Sequence, residues 1–173
     1  MLRQDLVPAL KERLARLAGR RVAAPAASAD PVLARVLAIV SVLAGLIGIA
    51  AAEVGKVFTE TDVEVSEAID FLNFYPYSVE QLESLEGVSL SAKGVGLVVS
   101  PWNFPVAIPA GGITAALAAG NTVILKPASA AVLSAYRLCE CFWAAGVGKS
   151  TLQFVPCDGA LAGRELIPNR AID

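Results

Sequence analysis

The sequence predicts an α/β fold: a parallel sheet with helices on both faces, preceded by a helical N-terminal segment. Three observations carry this. The runs Gly94–Ser100, Thr122–Leu125 and Leu152–Val155 are apolar without polar alternation, as strands are when both faces of a sheet are covered. Stretches of helical composition separate them, the pattern of crossover connections between parallel strands. Each run then closes on a turn: Pro101-Trp102-Asn103, Lys126-Pro127-Ala128, and Pro156 to Gly159. Ligands of open parallel sheets sit outside the carboxyl ends of the strands, so these turns are expected to line one crevice.

The elements follow in chain order. Leu6, Leu10, Leu14 and Leu17 recur at helical spacing among Lys11, Arg13 and Arg16, which predicts an amphipathic helix over residues 1–21. Its Arg content is that of a transit peptide, but Asp5 and Glu12 within it count against one. Residues 22–31 are rich in Ala, Pro and Ser and read as a linker. Val36 to Ala52 carries no charge. It is shorter than the roughly 20 residues a membrane span needs and contains Gly45 and Gly48, so a helix packed between other elements is expected. Thr59 to Phe74 begins with Glu60, Asp62 and Glu64 and has an apolar side in Val63, Ala68, Phe71 and Leu72. Acid near its start favours a helix, and Pro76 is expected to end it. Ser78 to Lys93, with Glu80, Glu83 and Glu86, reads as a polar connection with a solvated surface. Helices are expected over 105–119, closed by Gly120-Asn121, and over 129–145, closed by Gly146. The organisation is thus a helical segment over residues 1–52 and a sheet-bearing part over 53–173.

Bulk properties exclude several functions. The chain of 173 residues is long enough for one domain with a core, and it is 55% hydrophobic. Net charge is −2 with no basic cluster, so nucleic acid is not an expected partner. Three cysteines in no framework spacing, and no histidine, fit a reducing, cytoplasmic compartment and leave no metal site.

Val98-Val-Ser-Pro-Trp-Asn-Phe-Pro105, Ala115-Ala-Leu-Ala-Ala-Gly-Asn121 and Val123-Ile-Leu-Lys-Pro127 together resemble the cofactor-binding domain of the aldehyde dehydrogenase superfamily. Glu53-Val-Gly-Lys56 and Glu64-Val-Ser-Glu-Ala-Ile-Asp-Phe71 resemble the same family. With Leu152-Gln-Phe-Val-Pro-Cys157, the pattern is most similar to the 1-pyrroline-5-carboxylate (L-glutamate γ-semialdehyde) dehydrogenases, including the dehydrogenase half of bifunctional proline-utilisation enzymes. The resemblance implies a partial Rossmann-like domain, the cofactor NAD, a small aldehyde substrate, and an amino-terminal fragment without turnover of its own.

It also implies roles for particular residues. An amide at a strand end can shape the turn or donate to a developing oxyanion; in the family the residue matching Asn103 does the latter. The residue matching Lys126 binds the adenosine ribose. Ser100, Pro101 and Trp102 fall along the cofactor side, with Trp102 and Phe104 as wall residues. Gly159 falls near the adenine. Gly163 is equally a plain turn glycine or a contact, since the missing side chain serves both. Many relatives carry Glu soon after the lysine, where this chain has Ala128, Ser129 and Ala130. NAD is the expected cofactor, with NADP left open.

Ala145-Gly-Val-Gly-Lys-Ser-Thr151 imitates a phosphate-binding loop but lacks Gly at Trp143, and the order helix then strand is the reverse of what that loop requires. Gly94-Val-Gly96 precedes its strand and is no dinucleotide fingerprint. Cys139, Cys141 and Cys157 do not match the family nucleophile, which lies with a base Glu far downstream of this region. Two other readings remain: a non-catalytic nucleotide-binding or interaction module that self-associates through exposed apolar surface, and a membrane-anchored protein through residues 36–52.

Overall fold

The computed structural model describes residues 31–172, with side chains described from residue 42 onward. The helix expected over residues 1–21 and nearly all of the linker near 22–31 lie outside the described residues. The elements are α1 (Pro31–Val54), α2 (Phe58–Glu83), β1 (Val95–Val99), α3 (Ala107–Ala118), β2 (Thr122–Lys126), α4 (Val132–Ala144), β3 (Leu152–Phe154) and the short α5 (Gly159–Leu161), followed by a π-helical turn over Ala162–Leu166.

The three strands are parallel in the order β1-β2-β3. Right-handed crossovers between strands laid down in sequence put α3 and α4 on the same face. Gly96, Val98, Val123, Leu125, Leu152 and Phe154 share that face by register, and Val123, Leu125 and Leu152 are buried there. On the other face Leu97 and Ile124 are half-buried, and Val99 and Gln153 exposed. The α/β class and the parallel sheet are as expected, but among the described residues helices cover one face only. The outer layer is α1 and α2: α2 lies on α3, and α1 on α2 and α4.

Helix ends set the strand starts. Gly120 (φ 81°) and Gly146 (φ 106°) adopt the left-handed conformation that follows a helix. Asn121 N donates to Ala116 O and Gly120 N to Leu117 O; Val147 N donates to Phe142 O and Gly146 N to Trp143 O. Both are Schellman closures. The Asn121 carboxamide oxygen then accepts from Lys93 N at 2.7 Å and Gly94 N at 2.9 Å, tying the start of β1 to that of β2. The residues 145–151 form the end of α4 and the turn into β3, which is the wrong order for a phosphate loop. At the outer edge of β3, Trp143 Nε1 donates to Leu152 O at 3.0 Å, and Tyr136 packs edge-on against Trp143 and Phe154. These rings shield a strand edge that would otherwise invite pairing.

Two expectations fail in α2. The helix does not stop at Pro76 but runs through it to Glu83, so Ser78–Glu83 is helical and not a polar connection. A proline inside a helix costs about 3 kcal/mol. Here Pro76 is buried, and side-chain bonds brace the helix on either side of it: Asn73 Nδ2 donates to Ile69 O and Ser78 Oγ to Phe74 O. Packing thus decides the helix length. The apolar α1 behaves as expected over its described side chains. Leu46 and Ala50 belong to the same core as α2, α3 and α4, and among the described residues no helix is long and apolar enough to cross a membrane.

Candidate functional site

The carboxyl ends of the three strands bring the expected residues to one edge of the sheet. Val99 and Lys126 are register partners at the ends of β1 and β2, and Ser100 N continues the ladder to Lys126 O at 3.3 Å. Ser100 is buried, Pro101 half-buried, and Trp102, Asn103 and Phe104 are exposed before the buried Pro105. The turn that holds Asn103 is therefore anchored at both ends and open in the middle.

Lys126 is 6% exposed. Its side chain makes no hydrogen bond or ion pair among the described residues, and no buried side-chain nitrogen or oxygen lacks a partner, so its ammonium keeps a little contact with solvent. A lysine with a covered stem and a free head at a strand end suits a hydroxyl-rich or anionic ligand. Gly159 and Gly163 are exposed in the segment after β3. A Cβ at either would meet nothing within 4 Å, and neither has a positive φ. Nothing inside the chain demands glycine there, which leaves room for a flat group against the backbone.

The structure adds three residues with roles the sequence reasoning did not assign: Glu53, Lys56 and Glu64. Helix α3 starts after Val106 and α4 after Ala131, and neither residue offers a side-chain cap. Remote carboxylates do the capping. Glu64, 1% exposed, accepts from Val106 N at 2.6 Å and Ala107 N at 3.1 Å through Oε1. Its Oε2 accepts from Lys56 Nζ at 2.7 Å. Glu53 accepts from Leu133 N and Ser134 N at 2.7 Å each, and from Ser134 Oγ at 2.6 Å. Glu64 was expected only to favour its own helix start; it serves another helix instead. The helices were expected to open at Pro105 and Ser129; the true starts, after Val106 and Ala131, leave no local side chain to cap them.

This arrangement has an electrostatic consequence. A helix N-terminus at a strand end is where open α/β folds ordinarily seat a phosphate. Here two N–H groups at the start of each of α3 and α4 already hold a carboxylate, so an anionic ligand at this edge finds less there and needs other partners. Lys126 is one such group. A dinucleotide fits the donor set present: an ammonium for ribose hydroxyls, a side-chain amide at Asn103, and glycine backbone for a base.

Cys139 and Cys141 do not enter this site as nucleophiles. Burial pushes the Cys139 thiol from its ordinary 9.0 up to about 12, with a smaller push from neighbouring Cys141. The Cys141 thiol is raised too, chiefly by burial and against the pull of Arg137. Thiols held protonated are poor nucleophiles. Among the described residues no cluster could hold a metal ion. A shallow depression of about 420 Å³ beside β3 is lined by Tyr136, Trp143, Lys149 and Phe154 among others. It contains none of Ser100, Asn103 and Lys126, so it is separate from the strand-end site.

Comparison with known proteins gives a consistent result. The aldehyde dehydrogenase family profile matches residues 23–173. The chain is 40% identical over 127 residues to 1-pyrroline-5-carboxylate dehydrogenase of Geobacillus thermodenitrificans strain NG80-2, a match that covers 66% of this chain and 24% of that protein. The enzyme of the same name from Bacillus subtilis strain 168 matches with the same identity and coverage, 40%, 66% and 24%. The chain thus spans about a quarter (24%) of the length of these curated relatives. Among solved structures, proline utilization A from Corynebacterium freiburgense superposes with a TM-score of 0.75 at 33% identity, over 98% of this chain and 16% of that one. A 1-pyrroline-5-carboxylate dehydrogenase from Thermus with bound NAD gives a TM-score of 0.70 at 28% identity, over 98% of this chain and 33% of that one.

Proposed function

Because the chain belongs to the aldehyde dehydrogenase family, we propose that it forms the cofactor side of an NAD-dependent enzyme that oxidises L-glutamate γ-semialdehyde to glutamate in proline catabolism. The observation that carries this reading is the parallel register that sets Lys126 beside the end of β1, from which the turn with Asn103 departs. The names of its relatives support the substrate. In this reading residues 53–173 are the cofactor-binding part. The segment before it ends in α1, whose Leu46 and Ala50 pack into the same core.

Each residue then has a task. Attack of a thiolate on the aldehyde carbon forms a C–S bond and moves the carbonyl electron pair onto oxygen. Asn103 Nδ2 donates a hydrogen bond to that oxyanion. Lys126 holds ribose hydroxyls, Ser100, Pro101 and Trp102 line the cofactor side, and Gly159 and Gly163 leave space for the adenine. When bound, the dinucleotide supplies the hydride acceptor. The thiolate and the base come from outside these residues: the three cysteines of this chain do not match the family nucleophile, so we expect no turnover from it alone. NAD is the cofactor we expect, since a similar 1-pyrroline-5-carboxylate dehydrogenase from Thermus has it bound. We expect the chain in the soluble, cytoplasmic fraction without detergent.

Calorimetry with NAD tests the reading. Micromolar binding is expected, weakened at least ~10-fold by Lys126→Met, since each ~1.4 kcal/mol is tenfold, with the melting temperature unchanged. No heat at millimolar NAD would refute it. That outcome favours the second reading, a non-catalytic interaction module, for which the motivating observation is exposed apolar surface: Phe58 is 68% exposed, Val63 65% and Phe74 58%. Sedimentation would then show concentration-dependent self-association.

A further inference from the structure

We propose that Lys56 and Glu64 are positioning residues for the turn from Pro101 to Pro105, and that they hold the Asn103 side chain ready to act. The inference rests on the reading of Asn103 as the oxyanion donor. Lys56 Nζ makes three contacts at once: it donates to Glu64 Oε2 at 2.7 Å, donates to the Asn103 main-chain carbonyl at 3.1 Å, and sits 4.2 Å from the centre of the Phe104 ring. The other Glu64 oxygen fixes the far end of the turn through Val106 N and Ala107 N. One buried carboxylate therefore pins the exit of the turn directly and its apex through the lysine.

The chemistry favours a directional role. Lys56 takes the main-chain oxygen of Asn103, and the Asn103 carboxamide makes no hydrogen bond among the described residues, so its donor stays free for a ligand. The turn is otherwise exposed at Trp102, Asn103 and Phe104 and would be mobile without a tether. The ion pair is well suited to be one: Glu64 is 1% exposed and Lys56 only 13%, so solvent and salt screen it little. A group aimed at developing charge is effective only when it is oriented beforehand. Lys56, 47 residues before Asn103, supplies that orientation.

The test uses ¹⁵N relaxation on the chain and three variants. Lys56→Met keeps the stem and removes the ammonium. Glu64→Gln keeps a neutral acceptor for the α3 N–H groups but cancels the ion pair. Lys56→Arg keeps charge and donors. Lys56→Met is expected to lower the order parameters of residues 102–104 from about 0.85 to below about 0.6, and that of the Asn103 Nδ2 group with them. Glu64→Gln should do the same, the double variant no more than either, and Lys56→Arg should restore both signals. A turn that stays rigid in Lys56→Met overturns the proposal, and so does uniform loosening of α2 and α3, which would mean that the pair holds the domain and not the turn. The readout needs neither cofactor nor aldehyde, so it stands or falls independently of NAD binding.

Discussion

Two adjacent glycines in α3 make a stringent test of how the sheet is packed. A Cβ at Gly112 would stand 2.9 Å from Val98 Cγ1 and 3.2 Å from Cγ2, on β1. A Cβ at Gly111 would stand 3.0 Å from Phe71 Cδ2, on α2. Both changes to alanine gain helix propensity, about 1 kcal/mol. They differ in what must yield. Val98 is β-branched, stiff about its first side-chain torsion, and fixed in the middle of a strand by register. Overpacking costs about 1–3 kcal/mol, and so unyielding a neighbour puts Gly112 in the upper half of that range, so Gly112→Ala should lose about 1–2 kcal/mol net, or roughly 2–8 °C in Tm for a chain of this size. Phe71 is half-buried on the outer helix and can tilt, so the two effects should nearly cancel in Gly111→Ala, within about 0.5 kcal/mol. Urea denaturation followed by circular dichroism reads both. Val98→Ala removes the clashing methyls, so the double variant with Gly112→Ala should be more stable than the sum of the singles by at least about 0.5 kcal/mol. If Gly112→Ala proves as stable as the parent, or the two glycines respond alike, the packing argument is wrong.

Other predictions bear on the caps and the thiols. Glu53→Ala removes three hydrogen bonds from the start of α4 and should cost about 2 kcal/mol, seen as a Tm fall of about 4–8 °C; Ser134→Ala, which loses only the hydroxyl bond, should cost less than half of that. Stability should fall as pH rises above 9, because the Cys139 thiol keeps its proton in the folded state up to about 12 while the unfolded chain releases it near 9.0. The folded state thus binds more protons across that window, and Cys139→Ala should flatten the alkaline limb of a pH–Tm curve. Alkylation near pH 8 should label Cys157, on the loop after β3, before Cys139 and Cys141, whose thiols are held protonated by burial; peptide mapping would show the order.

The sequence by itself determined the order of the three strands and the helices between them, the glycines that close those helices, and the turns after β1 and β2 beside Asn103 and Lys126. These are local facts: an apolar run, a left-handed glycine, a proline that fixes a turn. Proline at position 76 shows the limit of such reasoning, since it is buried in the packed helix and the helix continues to Glu83. The caps from Glu53 and Glu64 were decided only in three dimensions. A helix that begins at Val106 or Ala131 lacks a neighbour able to accept its first N–H bonds, and the acceptors come from 42 to 81 residues upstream. No periodicity or spacing encodes that pairing; it exists because the tertiary packing of α1 and α2 carries two carboxylates to the starts of α3 and α4, where buried donors would otherwise be left without partners.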